Sequence, residues 1–216
     1  MNLNQLVKEK LVCVALNDAK QFDALNATFN EKPYVKPPTQ PVLYFKTRNT
    51  WSSNDAPVDY VGGSMVVGAS IAVVIGKTCC RVSEADALEY VSGLTLVHDF
   101  SLPEKSYYRP DIKGKCLDGS APIAQSPIAL SDIASLSDLT VTTTVNGEQK
   151  SSLSVSQHYR SIEQLIHSIS TIMTLNVGDV IAVGFPGERI AVESGDIVST
   201  TMSNLLQLNN TLKGES

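Results

Sequence analysis

The residues best placed to do chemistry lie in one stretch, positions 92–119, which reads SGLTLVHDFSLPEKSYYRPDIKGKCLDG. An apolar run ends at His98-Asp99, and regular periodicity then gives way to a loop carrying Lys105, Arg109, Lys113 and Lys115 together with Tyr107 and Tyr108. An acid at the end of a buried strand, followed by a basic and aromatic loop, reads as a pocket for a small anion. The plainer alternative is a solvated basic loop for Lys115 and Arg109, with the two tyrosines packing rather than touching a ligand. His158 and His167 have no partners at metal-ligand spacing and read as surface or interface residues. Cys116 sits beside Lys115, which would lower its thiol pKa, but no histidine can be assigned to activate it, so it reads as inert.

Composition narrows the partners. The chain has 216 residues, is 43% hydrophobic and carries a net charge of -5, enough apolar material for one large domain. An acidic protein whose one basic cluster is a single loop is not built for nucleic acid, which needs clustered Lys and Arg. No apolar run approaches a membrane span, and the charged start MNLNQLVKEK is no signal peptide; the expectation is a cytoplasmic protein with no membrane partner. Cys13, Cys79, Cys80 and Cys116 match neither a disulfide framework nor a zinc spacing and read as buried reduced thiols.

The elements that must position this stretch follow from pattern. Leu11 to Leu16 is a buried strand, and Asn17-Asp18 introduces a helix through Phe22 and Leu25 to about Thr28. Pro33, Pro37, Pro38 and Pro41 exclude helix from the next segment, Val42 to Lys46 reads as a strand, and the residues up to Asp59 as polar loop. One or two strands fill Ser64 to Ile75. Ser83 would cap a helix with Glu84 and Asp86 in its first turn, Ala87, Leu88 and Val91 facing inward, and Gly93 ending it. Leu139 to Val145, Asn146-Gly147 and a return strand to about Val155 form a hairpin. Ser161 and Gln164 make a capping box ahead of a helix with Ile162, Leu165, Ile166, Ile169, Ile172 and Met173 inward. Short strands at Val180 to Val183, Arg189 to Val192 and Ile197 to Met202, with turns at Gly184, Gly187 and Gly195, complete the chain. The fold class is α+β and β-rich, a rolled mixed or antiparallel sheet with a few short helices. A single domain is expected over 1–216, with 1–60 as a strand, helix and proline-rich connector and 61–216 as the β-roll core.

The segments IAVVIGK (Ile71 to Lys77), LTLVHDFSLPEKSYYRP (Leu94 to Pro110), KCLDG (Lys115 to Gly119), LNVGDVIAVGFP (Leu175 to Pro186) and SGDIV (Ser194 to Val198) resemble the fumarylacetoacetate hydrolase family over nearly the whole chain. With KTRNTW at Lys46 to Trp51, they look most like the amino-terminal half of the isomerase/decarboxylases of homoprotocatechuate catabolism. The resemblance implies a rolled sheet of the family's C-terminal-domain type, usually dimeric, holding Mg2+ or Mn2+ over a pocket for oxo acids. A hard cation of this kind needs oxygen ligands, and on a 2-oxo acid it stabilises an enolate.

Carried over residue by residue, the family's metal Asp falls on Asp99, while its two metal Glu fall on Gly68 and Ser70. Asp99 is then either a retained ligand or a structural carboxylate. His98, beside it, points to the opposite face of the strand. The acid/base pair of the family's lid, following Asn17, falls on Gln21 and Ala24, and the Thr of its late turn on Phe185. The substrate contacts that remain are Tyr107, Tyr108, Arg109 and Lys115, with Lys115 the one catalytic candidate. Two functions follow from the resemblance. One is a catalytically degraded half, in a homodimer or in a heterodimer with a metal-bearing homologous subunit, of an enzyme acting on the oxo-dicarboxylate anion 5-carboxymethyl-2-oxo-hex-3-ene-1,6-dioate. The other is a decarboxylase, isomerase or hydrolase on such an anion in its own right.

Overall fold

The structure is a computed structural model that describes residues 6–104, 106–109 and 111–214. In chain order its main elements are β1 (Leu11–Ala15), α1 (Ala19–Ala24), α2 (Asn26–Phe29), β2 (Val42–Lys46), β3 (Trp51–Ser53), β4 (Val58–Asp59), β5 (Val66–Ile75) and β6 (Val91–Ser101). They continue with α3 (Ile112–Lys115), β7 (Ala121–Ile123), β8 (Thr140–Val145), β9 (Glu148–Ser154), α4 (Ile162–Ile172), β10 (Val180–Ala182), β11 (Ile190–Ala191), β12 (Ile197–Met202) and β13 (Leu206–Lys213).

A mixed sheet in the order β2-β1-β10-β5-β6-β7-β3, with β11 added beside β5, carries the site. Its first and last strands meet: the Trp51 indole N–H on β3 donates to the Lys46 carbonyl on β2 at 2.8 Å, and Lys46 Nζ crosses to the Phe100 carbonyl on β6 at 3.1 Å. The sheet is therefore curled into a roll whose interior is filled by Leu11, Cys13, Ala72, Val74, Val97 and Ile123 among others. β1 pairs in parallel with β10 and antiparallel with β2, so the amino-terminal segment is built into the same sheet. The outer face packs on α4 and on a second sheet in the order β4-β13-β12-β8-β9.

The two long central strands are buried on both faces, which is why β5 reads as an almost unbroken apolar run. β8 alternates buried Val141, Thr143 and Val145 with half-buried threonines because only one of its faces meets the core. The hairpin turns through Asn146 and Gly147 at φ 52° and 83°, the left-handed pair such a turn requires. Ser161 and Gln164 form the reciprocal cap of α4, whose Ile162, Leu165, Ile166 and Ile169 are buried; Ile172, expected inward, is exposed and Met173 half-buried, because the helix ends there.

Four expectations need correcting. The helix from Ser83 to Gly93 is a single short turn at Ala87–Tyr90, and Gly93 lies inside β6. Gly93 is small for packing rather than for stopping a helix: a Cβ there would stand 2.5 Å from the Ile128 carbonyl oxygen, where the chain pairs with Leu94 through two 2.8 Å hydrogen bonds. The loop before Asp59 contains β3 and β4. β13 was not expected because its alternation, LQLNNTLK, is largely polar. Cys13 and Cys79 are buried, but Cys80 is exposed and Cys116 half-exposed. Among the described residues no helix is long and apolar enough to cross a membrane.

Candidate active site

Asp99 lies opposite Gly68 in the β5–β6 pairing, on the face turned into the roll. It is fully buried. The Tyr44 hydroxyl donates to its Oδ2 at 2.6 Å, and three cations surround it: Lys46 Nζ 3.0 Å from Oδ1, and Lys115 Nζ and Arg189 Nη2 3.1 and 3.2 Å from Oδ2. Tyr44 and Lys46 are two apart on β2 and so share a face, and closure of the roll carries both to β6. Lys115 is delivered by α3, a short turn in which the Asp111 side chain accepts from the Gly114 N–H at 2.9 Å. Burial by itself would raise the Asp99 pKa, but Lys46, Lys115 and Arg189 overcome it and hold the carboxyl far below its ordinary range. The same pairing raises Arg189 despite its burial. Burial and the facing carboxylate together push the Tyr44 hydroxyl well up and the Cys13 thiol up to about 12.

The positions at which the resemblance places metal carboxylates are used for other purposes. A side chain at Gly68 would collide with Arg189, whose Cζ and Cδ lie 2.9 and 3.0 Å from the position its Cβ would take. Phe185 presents its ring to the same guanidinium, 4.4 Å from centroid to Cζ. Gly68 is thus the room, and Phe185 the platform, for a half-buried cation. Ser70 is consumed by backbone, donating to the Ile71 carbonyl at 2.6 Å and accepting from the Gly184 N–H at 3.2 Å. These residues do not fit a hard divalent cation: one carboxylate remains, three cations already hold it, and an added dication would face their repulsion. Among the described residues no three His, Cys, Asp or Glu side chains are grouped closely enough to hold a metal ion.

His98 leaves the opposite face of β6. Its ring nitrogens bond Asn210 Oδ1 at 2.9 Å and Thr200 Oγ1 at 2.8 Å on the second sheet, and burial pushes its pKa down to about 4. His158 and His167, expected at the surface or an interface, are half-buried; burial pushes His158 down to about 4 as well, and His167 bonds the Val82 carbonyl at 2.7 Å.

The loop residues separate. Lys115 reaches the centre, and Tyr107 forms the wall, held by Gln21 Nε2 donating to its hydroxyl at 2.8 Å and by its own N–H donating to the Tyr34 hydroxyl at 3.0 Å. Tyr108 and Arg109 are exposed at the rim of an outer cavity of about 380 Å³, which Leu43, Tyr44, Tyr107 and Lys115 also line. A second cavity of about 300 Å³ lies against Ser101, Glu104, Tyr107, Lys115 and Arg189. Gln21 therefore tethers the loop to α1, while Ala24 is exposed and Lys113 points to solvent. Lys105 lies outside the described residues. Sequence reasoning missed Tyr44, Lys46, Glu104 and Arg189. The in-phase Tyr and Lys ending an apolar strand carried a signal for the first two; Arg189 carried one only as the complement of the space left at Gly68.

The fumarylacetoacetate hydrolase C-terminal family model matches residues 10–213. The 4-hydroxyphenylacetate degradation bifunctional isomerase/decarboxylase of Escherichia coli is 38% identical over 210 residues, which are 97% of this chain and 48% of that protein. The chain thus spans about half the length of such curated relatives. Among solved structures, 5-carboxymethyl-2-hydroxymuconate delta-isomerase from Mycobacterium smegmatis superposes with a TM-score of 0.80 at 26% identity, covering 95% of this chain and 77% of that one. Fumarylpyruvate hydrolase from Pseudomonas aeruginosa, solved with Mn2+ and pyruvate, shares the fold with a TM-score of 0.81 at 21% identity over 97% of this chain and 91% of its own. The chain belongs to the fumarylacetoacetate hydrolase family.

Proposed function

We propose that this member of the fumarylacetoacetate hydrolase family is the metal-free half of an isomerase/decarboxylase acting on an oxo-dicarboxylate of aromatic catabolism. In this reading it pairs with a homologous domain that carries the metal carboxylates. The observation that carries the reading is the Arg189 guanidinium, which fills the space a side chain at Gly68 would need and is ion-paired to Asp99. Loss of a ligand by drift would leave a hole, whereas here the space is packed and Phe185 supports the replacement. The length relation to the bifunctional relatives, about half of each, supports a partner of similar size. Titration of Mn2+ and Mg2+ into the isolated chain by calorimetry is expected to give no stoichiometric binding, and turnover of 5-carboxymethyl-2-oxo-hex-3-ene-1,6-dioate is expected only after a metal-bearing homologous subunit is added. Stoichiometric metal binding, or turnover by the chain alone, would overturn it.

A second reading, an enzyme in its own right, draws on Lys115 and Arg189 facing one cavity, where two cations would stabilise developing enolate charge without a metal. It requires turnover by the isolated chain in chelator, abolished by Lys115→Ala.

A further inference from the structure

We infer that Lys115 and Arg189 form a carboxylate clamp whose resident occupant is the Glu104 side chain, so that a small carboxylate ligand enters by displacing Glu104. The inference rests on reading the site as metal-free. The three cations around Asp99 are not equivalent. Lys46 Nζ is fully buried and committed, with Asp99 Oδ1 at 3.0 Å, the Phe100 carbonyl at 3.1 Å and Ser120 Oγ at 2.9 Å. It makes two hydrogen bonds and one ion pair, all to buried groups, and among the described residues Asp99 Oδ1 accepts no hydrogen bond. Lys115 holds Asp99 at 3.1 Å, but its remaining contacts are long, 3.4 Å to Ser101 Oγ and 3.8 Å to Glu104 Oε2. Arg189 spends Nη2 on Asp99, and its Nη1, packed beside Gly68, has no hydrogen-bond partner among the described residues. Two cations thus keep donor capacity in reserve, and Asp99 offsets only one charge of the three.

Glu104 is placed to supply the missing anion and to yield it. It lines both cavities, on the boundary where Lys115 and Tyr107 also stand. At 3.8 Å its carboxylate attracts Lys115 without making a hydrogen bond. A ligand carboxylate in the second cavity can close to charge-assisted hydrogen-bond distance, and such bonds are about twice as strong as neutral ones. Asp99 cannot play this part, because it is enclosed and Tyr44 and three cations grip it. Glu104 sits instead on the irregular segment after β6, half-buried, with no regular pairing to hold it. Removing its charge while keeping its shape should empty the clamp.

The test is calorimetric titration of 2-oxoglutarate into the 216-residue chain in buffer containing EDTA. Glu104→Gln is expected to bind about tenfold more tightly than the parent, the scale of one charge-assisted contact, and Lys115→Met and Arg189→Met to bind at least about tenfold more weakly. Affinity in Glu104→Gln equal to or below the parent's, with circular dichroism showing the native fold, would overturn the clamp. So would absence of binding to both. Because chelator is present throughout, the outcome is independent of the Mn2+ titration: metal binding by the parent chain would sink the metal-free reading, and an unchanged Glu104→Gln affinity would sink the clamp alone.

Discussion

His98 and Asp99 are consecutive, both fully buried and both ionisable, yet they face environments with opposite logic. Outside the roll, His98 meets a neutral network in which Asn210 and Thr200 bond its ring and Thr143 bonds Thr200 at 2.9 Å. Inside it, Asp99 meets one phenol and three cations. Neutral groups satisfied by neutral partners stitch two sheets together and ask nothing of solvent or ligand. A cluster with surplus positive charge beside a cavity is a different object. It is stable only while its anion is present, and it is unsatisfied enough to accept another.

The sharpest way to break this contrast is to remove each side chain in turn. Asp99→Ala leaves three cations packed together without their shared carboxylate, and breaking a buried ionic set in this way costs about 3–5 kcal/mol. His98→Ala leaves the Asn210 side-chain oxygen without its partner beside a cavity, while Thr200 keeps Thr143 and the Asn210 N–H groups keep the Ser53 and Ala56 carbonyls, which costs less, about 2–3 kcal/mol. Urea unfolding at neutral pH measures both. Equal losses, or a larger loss at His98, would mean that the two faces are not energetically distinct.

Acid separates the same pair without mutation. The His98 pKa is pushed down to about 4 in the folded chain, while in the unfolded chain it returns to about 6.5. The unfolded state therefore binds a proton that the folded state refuses, so stability is full above about pH 6.5 and drains away as pH falls toward the folded value, at up to about 1.4 kcal/mol per pH unit. Asp99 is depressed far below the carboxylate range. Its contribution is intact above the unfolded value of about 3.9 and is lost only in stronger acid. His158 shares the first window, so His98→Gln should flatten the dependence between about pH 6.5 and 4 without abolishing it, leaving the later acid loss unchanged. An unaltered slope would remove His98 from the account.

The outer face was far easier to read in the sequence than the inner one, for reasons of distance along the chain. The floor strands, the hairpin at Asn146-Gly147 and the cap at Ser161 are written in neighbouring residues, where period and turn chemistry act. The cluster at Asp99 draws on positions 44, 46, 115 and 189. Lys46 arrives only because the sheet curls until its end strands meet, a property of no single segment. Arg189 read as the start of a strand, since nothing local says that its guanidinium lies against a glycine more than a hundred residues earlier. Gly93 misled in the other direction: a glycine after a helical pattern resembles a stop signal, and its true reason, the Ile128 carbonyl beside it, is again a long-range contact. The losses at Gly68 and Phe185 were legible as departures from a resemblance, but their compensation by one arginine was not.

The smallest expected effect tests the boundary between the two regions, where the loop covers the charged floor. Gln21 stands at a position where the resemblance implies a proton-moving group, yet it is an amide whose N–H donates to the Tyr107 hydroxyl at 2.8 Å. Its work is mechanical. Gln21→Ala removes the half-buried hydrogen bond to Tyr107 and a longer one to the Gly187 carbonyl at 3.4 Å and should cost about 0.5–1.5 kcal/mol locally, with little change in global unfolding because the loop is not part of the sheets. The Tyr34 hydroxyl still holds the Tyr107 N–H at 3.0 Å, so the loop should loosen rather than detach. Hydrogen exchange read at Tyr107 and Tyr108 is expected to speed up severalfold, while the amides of β6 from Leu94 to Phe100 keep their protection. Unchanged exchange at Tyr107 would show that the tyrosine pair, and not the tether from α1, keeps the loop over the site.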